Sequence, residues 1–197
     1  MKTTLPLLVF LAGTAGLAEA QNSDLGLLLG VSVIRVSADG RSANTDIGGG
    51  AQINYAFQLK ETVAGRLYVE LPLTFTGEVR TTAASGRTSA SVGATIFFIP
   101  GVRWSFHPAH RISLYAAAGG GLASFDGVVA TSFGGSGTGR AQVGRSTTGA
   151  FGFGLGVDFR LTRLVSLRGE YRDAITRGSL DGAVHHSLVM FGVGLHF

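Results

Sequence analysis

The chain contains no cysteine, which excludes a disulfide framework, a thiolate metal site and a cysteine-linked lipid anchor. Charged residues make up only 14% of the 197 residues, and the net charge of +4 comes from scattered arginines rather than from a basic run. We therefore expect no nucleic-acid partner. Long apolar runs are missing too, since nothing beyond the N-terminal segment approaches the roughly 20 apolar residues of a membrane-spanning helix.

The N-terminal segment has the layout of a secretory signal peptide. Lys2 supplies the positive start, residues 5–17 form an apolar stretch, and Ala18-Glu19-Ala20 provides a small-residue cleavage site. We predict that residues 1–20 are removed on export and that residues 21–197 form a single domain. If this domain enters a membrane, it must do so with strands, because no helix is long enough.

Apolar residues recur with period two, the spacing that places alternate side chains on opposite faces of a strand. In the second of eight such runs, Ile53 and Phe57 share one face and Gln52 and Asn54 share the other. The apolar faces of the eight runs begin at Leu25, Ala51, Leu67, Ile96, Leu114, Phe151, Val165 and Val189.

Three features disturb this pattern. Phe97 and Ile99 interrupt the alternation of the fourth run. Pro72 and Pro100 fall inside runs, where a strand needs backbone N–H groups for its ladder. We expect a β-bulge at each proline.

The connections between the runs alternate in length. Short links at residues 60–64, 107–111 and 160–164 alternate with long Gly-, Ser-, Thr- and Asp-rich links, predicted as loops, at 38–49, 77–91, 126–145 and 173–185. Short turns at one end and long loops at the other are typical of bacterial outer-membrane barrels, with the short turns on the periplasmic side. A sheet in lipid must close, because every backbone polar group needs a partner. The sequence therefore predicts an all-β fold, an eight-stranded antiparallel up-and-down transmembrane β-barrel, with a soluble barrel as the alternative.

Aromatic residues on the apolar faces favour the membrane location. One set falls at the short-turn ends of strands and a second set falls toward the opposite ends, the arrangement of an aromatic girdle at the two membrane interfaces. The first set is Phe57, Trp104, Phe106, Phe159 and Phe197, and the second is Phe75, Phe151 and Tyr171.

The final alternating strand at residues 187–197, the LRGEYR segment at 167–172 and the strand–loop rhythm resemble the small outer-membrane barrels of the OmpA transmembrane-domain, OmpX and opacity-protein type. The resemblance implies integral insertion in the cell outer membrane, with lipids and lipopolysaccharide as partners. It also implies that the barrel assembly machinery recognises the last strand with Phe197 as its signal. These motifs are generic, so they imply an architecture rather than an activity.

The faces opposite the apolar ones carry charged residues, which the barrel would turn into its lumen. Buried charges must be paired, since removing one partner costs several kcal/mol. We expect a polar network that plugs the lumen, with an ion gate as the alternative. Its predicted members are Arg66, Glu70, Arg103, Asp158, Arg168, Glu170 and Arg172.

One candidate for chemistry is the His-x-Ser pair of His185 and Ser187. It resembles part of the motif of lipid A deacylases, but Leu188 follows where those enzymes have Asn, and no acidic residue comes after it. A nucleophile needs a base and an orienting group. Metal binding by His185 and His186 is disfavoured, because adjacent strand residues point to opposite faces.

We therefore expect no catalytic, cofactor or metal site. The predicted function is a non-enzymatic role in envelope integrity or in surface interactions, with a possible ligand for the long loops. A narrow pore for ions or small solutes is the alternative, and a lipid A-modifying enzyme is a third hypothesis.

Overall fold

The computed structural model describes residues 23–38, 41–84, 87–106, 111–133, 137–177 and 183–197. The predicted signal peptide and most of the short link at 107–111 lie outside these residues. Within them, no helix has the length and apolarity needed to cross a membrane.

Nine antiparallel strands form the fold in the part of the chain that the structure describes. They are β1 (Ser23–Ala38), β2 (Arg41–Thr62), β3 (Gly65–Ala84), β4 (Arg87–Phe98), β5 (Gly101–Phe106), β6 (Ile112–Phe133), β7 (Gly137–Arg160), β8 (Val165–Arg177) and β9 (Ala183–His196). β4 and β5 both lie between β3 and β6, one above the other, so the nine strands fill eight positions. β4 and β5 do not pair with each other, but every other strand pairs with its neighbours in the chain, and β9 pairs with β1 to close the ring. The predicted eight-stranded up-and-down barrel is confirmed.

The ring closes fully at the short-turn end. Ser23 donates its backbone N–H to the Phe197 carbonyl at 2.9 Å, and Phe197 donates back to the Ser23 carbonyl at 3.0 Å. In the β2–β3 turn, a Cβ on Gly65 would overlap the backbone carbonyl of Ser105 on β5, so only glycine fits this approach.

The long links predicted as loops are largely strand. β1 and β2 stay paired as far as Ala38 and Arg41, and β6 and β7 as far as Phe133 and Gly137. Small and polar residues suggested loops, but ladder hydrogen bonds satisfy the backbone of an extended hairpin whatever the side chains. β6 and β7 reach 22 and 24 residues, about twice the 9–11 that span a bilayer. The barrel therefore continues beyond the membrane as β-hairpins.

The apolar faces point outward, as the membrane orientation requires. Leu29 and Phe191 are 70% and 68% exposed, whereas Gln52 and Arg168 on the opposite faces are 1% and 2% exposed. A soluble barrel would show the reverse pattern. Phe97 and Ile99 are the inward members of β4 and its extension, with the outward positions taken by Ile96 and Phe98.

The predicted β-bulges at the prolines are wrong. Leu73 pairs with Phe98 and Glu70 pairs with Gly101, so the register is the same on both sides of the interruption at Ile99–Pro100. Pro72 pairs with Asn54 in an unshifted part of the β2–β3 ladder. By this register Pro72 lies opposite the interruption, so both missing N–H groups fall at one place in the sheet. The register shifts are elsewhere, between Arg35 and Val36, Gln58 and Lys60, and Phe125 and Gly127.

Candidate functional site

The half of the lumen near the short turns contains a group of ion pairs around Asp24. Arg168 donates to the two Asp158 carboxylate oxygens at 2.7 and 2.9 Å and to both Asp24 oxygens at 3.3 Å. Arg103 reaches the same two oxygens of Asp24 from β5. Asp24 therefore joins two arginines that come from different sides of the barrel.

A second group lies one step closer to the hairpins and is centred on Arg172. Its guanidinium donates to Glu170 at 2.6 Å and to Glu70 at 2.7 Å. Asn54 donates to the other Glu70 oxygen at 3.1 Å, and Gln52 donates to Glu170 at 3.1 Å. Both carboxylates thus accept a neutral hydrogen bond as well as an ionic one.

Tyr115 connects the two groups. Its hydroxyl donates to Glu170 at 2.6 Å. The centre of its ring lies 5.2 Å from the guanidinium carbon of Arg103 and 5.4 Å from that of Arg168, within the range of cation–π attraction. A Cβ at Gly156 would overlap this ring. The small residue on β7 therefore makes room for Tyr115 to cross the lumen.

We call this assembly the lumen network. Its charged members are four carboxylates and three guanidiniums, all at most 6% exposed: Asp24, Glu70, Asp158, Glu170, Arg103, Arg168 and Arg172. Each is in at least one ion pair. This mutual pairing offsets the cost of removing the charges from water.

The structure places six of the seven predicted lumen residues in this network. Arg66 lies apart from it, with its guanidinium 2.9 Å from Glu61 at the β2–β3 turn and a side chain 23% exposed. Asp24 was missed, because it precedes the first apolar residue of β1. Continuing the alternation of Gly26 and Leu28 back by one step would have placed it inside the barrel.

The half of the lumen near the hairpins contains an apolar cluster. Phe97 and Ile99 are 2% and 4% exposed and pack with three inward alanines, Ala123, Ala150 and Ala174. Leu28, Leu188 and Met190 form a second buried cluster, in which Leu28 pairs with Gln52, Leu188 with Arg172 and Met190 with Glu170 across the ladders. We call the first cluster the apolar layer. It lies on the hairpin side of the lumen network, among buried polar residues that include Thr176 and His186.

A separate polar cluster lies on the outer face. Asp173 lies two residues after Tyr171 on β8, so its side chain also points outward. It is nevertheless only 3% exposed, because β9 side chains cover it. His185 Nδ1 is 2.8 Å from one Asp173 oxygen, and the Ser187 hydroxyl donates to the other oxygen at 3.0 Å. The acidic partner that the sequence did not supply after Ser187 thus comes from the neighbouring strand. The Ser187 hydroxyl, however, donates to the carboxylate and not to the imidazole.

The predicted girdle aromatics lie on the outer surface. Those among the exposed apolar residues are Phe57, Phe75, Phe106, Phe151, Phe159, Tyr171 and Phe197, and Trp104 is half-buried. Tyr171 is the central residue of β8 rather than one near its outer end. In the part of the chain that the structure describes, no group of three or more potential ligand side chains could hold a metal ion.

Several solved structures have a similar fold. The chain is 16% identical to Ail of Yersinia pestis, solved with the heparin analogue sucrose octasulfate, over 89% of this chain and 99% of that one, with a TM-score of 0.49. It is 18% identical to Neisserial surface protein A over 88% of this chain and 97% of that one, with a TM-score of 0.45. It is 8% identical to the outer membrane protease OmpT from Escherichia coli over 89% of this chain and 97% of that one, with a TM-score of 0.47. A search of the curated proteins found no match.

The family comparison covers almost the whole chain. The model of the outer membrane protein β-barrel domain matches residues 4–197, and the chain belongs to that family. It is an integral β-barrel protein of the Gram-negative outer membrane, and the closed ring and the apolar exterior agree with that location.

Proposed function

We propose that this protein is a non-enzymatic structural barrel that supports the integrity of the outer membrane and presents its β-hairpins for contacts at the cell surface. The observation that carries the proposal is the filled lumen. The lumen network, the two apolar clusters and further buried polar side chains occupy the interior between the short turns and the hairpins.

The lumen network argues against a pore. The Arg103 and Arg168 side chains are 1% and 0% exposed, and both are paired with Asp24. An ion could cross only by separating these buried pairs, which is costly in a low-dielectric interior. Barrels of eight strands are in general just wide enough for side chains to fill. We therefore expect the lumen to be closed.

Three further predictions belong to this proposal. The exposed apolar band of the barrel suits membrane lipids and lipopolysaccharide as partners. Export through a signal peptide at residues 1–20 would deliver the chain to the periplasm. The barrel assembly machinery would then recognise the last strand, in which the exposed Phe197 lies at the seam with Ser23.

Single-channel recording in a planar lipid bilayer tests the closed lumen. Refolded protein, shown to be folded by its heat-dependent shift in electrophoretic mobility, should give no discrete conductance steps. Arg103→Ala and Glu70→Ala remove members of the lumen network and should raise leakage, whereas Arg66→Ala, outside the network, should not. Reproducible steps from the unmodified protein, absent after boiling, would establish a pore instead.

The outer polar cluster favours one second candidate, a lipid-modifying hydrolase. The pairing of His185 with Asp173 at 2.8 Å is the base and orienting group that a serine nucleophile needs. For catalysis the Ser187 hydroxyl would have to turn from Asp173 to the imidazole. This requirement is why we place the enzyme second.

The lipid A mass profile of cells that express the protein separates these two candidates. Under the structural proposal, Ser187→Ala and His185→Ala leave the profile identical to that of the unmodified protein. A matched control is Ser166→Ala, which removes a hydroxyl that lies in the lumen. A lipid A species that lacks an acyl chain and disappears only with the Ser187 and His185 variants would establish the enzyme.

A further inference from the structure

The short-turn end of the barrel carries an excess of positive charge. The basic residues in or beside the described parts of the three short links are Lys60, Arg66, Arg111, Arg160 and Arg163. Arg66 pairs with Glu61, the acidic residue of the β2–β3 turn. None of the other four is in an ion pair with a described residue. We call Lys60, Arg111, Arg160 and Arg163 the basic rim.

The basic rim differs from the arginines inside the barrel. Arg103, Arg168 and Arg172 each pair with at least one buried carboxylate, so their charge is compensated within the lumen network. No carboxylate of the described residues compensates the rim in this way. The charge of the basic rim is therefore free to act on an anionic partner outside the chain.

Two members of the basic rim are cross-strand neighbours. The Arg160 backbone N–H donates to the Arg111 carbonyl at 2.8 Å, and the β6–β7 ladder continues with Ile112 opposite Phe159. Arg111 and Arg160 therefore lie opposite each other, where like charges repel. An anion held between the two guanidiniums would relieve that repulsion. Phosphate oxygens suit this position, because a guanidinium donates two parallel N–H groups to them.

Exposed apolar side chains accompany the basic rim. In the β7–β8 turn, Leu161 and Leu164 are 50% and 57% exposed and lie on either side of Arg163. In the β2–β3 turn, Val63 is fully exposed. Apolar groups beside cations suit the membrane–water interface, where acyl chains and charged headgroups meet.

The position of the basic rim along the barrel agrees with the headgroup layer. Phe159 directly precedes Arg160 on the outer face, and the outward aromatics Trp104, Phe106 and Phe197 lie at the same end of other strands. Aromatic residues of membrane proteins concentrate at the membrane–water interface. The basic rim, just beyond them, is therefore level with lipid phosphates. The short turns of outer-membrane barrels lie on the periplasmic side, so the leaflet concerned is the periplasmic one.

From these observations we propose that the basic rim binds the phosphate headgroup of an anionic phospholipid, with Arg111 and Arg160 as the pair that holds it. A soluble anionic polymer would match the charge of the rim but would leave Leu161 and Leu164 in water, which is why we favour a lipid. The proposal requires only that the barrel is inserted in a membrane. It does not depend on whether the lumen conducts or on the role of the hairpins.

Quenching of Trp104 fluorescence tests the lipid class, since Trp104 is the single tryptophan and lies at the short-turn end. The protein is refolded into bilayers that mix phosphatidylglycerol, which is anionic, with phosphatidylcholine, which is not. One lipid at a time carries brominated acyl chains, which quench a nearby tryptophan. Phosphatidylglycerol should associate about fivefold more strongly than phosphatidylcholine, the effect of one basic residue near an anionic surface.

Two double variants with the same change of net charge locate the site. Arg111→Gln with Arg160→Gln removes the arginine pair and should reduce the preference for phosphatidylglycerol to about one. Arg35→Gln with Arg145→Gln removes the same charge at the hairpin end and should leave the preference unchanged. In the unmodified protein, raising the salt from about 0.1 M to about 1 M shortens the Debye length from about 10 to about 3 Å and should also lower the preference.

Two results would overturn the proposal. One is equal quenching by the two brominated lipids in the unmodified protein at low salt. In that case, sedimentation of the micellar protein with isolated peptidoglycan, lost with Arg111→Gln and Arg160→Gln, would identify a polymer as the partner instead. The other is a preference for phosphatidylglycerol that survives this double variant in protein that still shows its heat-dependent mobility shift.

Discussion

The half of the lumen near the short turns and the half near the hairpins are filled by opposite chemistry. Near the short turns, seven buried charges from five strands pair across the barrel. Near the hairpins, Phe97 and Ile99 pack against alanines with no charge among them. A substitution therefore has a different consequence in each half. Loss of one ion-pair partner leaves an uncompensated charge, whereas loss of an apolar group leaves a void.

Filling the lumen with ion pairs has a higher desolvation cost than filling it with apolar side chains. Buried ion pairs often stabilise a protein no better than apolar residues of similar volume, because their desolvation offsets their attraction. Their geometry, in contrast, is demanding. Arg168 must meet both Asp24 and Asp158, which lie on β1 and β7. These contacts form only in the observed register of the strands, whereas apolar contacts tolerate small shifts.

The largest expected effect is from Arg168→Met, which leaves Asp158 without an arginine and Asp24 with only one. The free energy of unfolding should fall by about 3–5 kcal/mol. Urea unfolding in detergent, followed by fluorescence of Trp104, the single tryptophan, measures it. Arg66→Met breaks only a partly exposed pair and should cost about 0–1 kcal/mol. Equal losses in the two variants would contradict the distinction between the network and Arg66.

Next comes Phe97→Ala, which opens a void in the apolar layer. A loss of about 3 kcal/mol in the same unfolding experiment is expected. Phe98→Ala provides the matched control, since Phe98 is 46% exposed on the outer face and its removal leaves no internal void. If the Phe98 variant lost as much stability as the Phe97 variant, the apolar layer would not be tightly packed.

A smaller effect is expected from Gly156→Ala, because the added Cβ overlaps the Tyr115 ring and forces it away from Glu170. Overpacking of this kind costs about 1–3 kcal/mol. Gly149→Ala, on the same strand where a Cβ meets no other atom within 4 Å, should be close to neutral. A stable Gly156→Ala protein would show that Tyr115 has another position in the lumen.

The smallest effect tests the link between the two groups of the lumen network. Tyr115→Phe keeps the ring beside Arg103 and Arg168 but removes the hydroxyl that donates to Glu170. A hydrogen bond to a charged group contributes from about 1.5 kcal/mol, and the low end is expected here because Gln52 and Arg172 still donate to Glu170. Thermal unfolding should therefore shift modestly, and a shift as large as that of Arg168→Met would mean that the aromatic bridge, not the ion pairs, holds the network.

Much of the fold followed from local pattern. Alternation predicts eight strands and the residues that share each face, the aromatic sets favour outward apolar faces, and the structure confirms both predictions. The same alternation accounts for Phe97, because Phe97 lies two residues after the inward-facing Thr95 and therefore also points inward. The hairpins were predicted as loops because their residues are small and polar, whereas ladder hydrogen bonds between paired strands determine their structure.

The sequence by itself determined which side chains share a face, because period two is a local property of an extended backbone. The tertiary structure alone decided which of those side chains meet. Asp24 and Arg168 are 144 residues apart and touch because the ring closes between β1 and β9. Asp173 reaches His185 and Ser187 through the register of β8 and β9. Register and closure depend on pairing between distant strands, which no local pattern encodes.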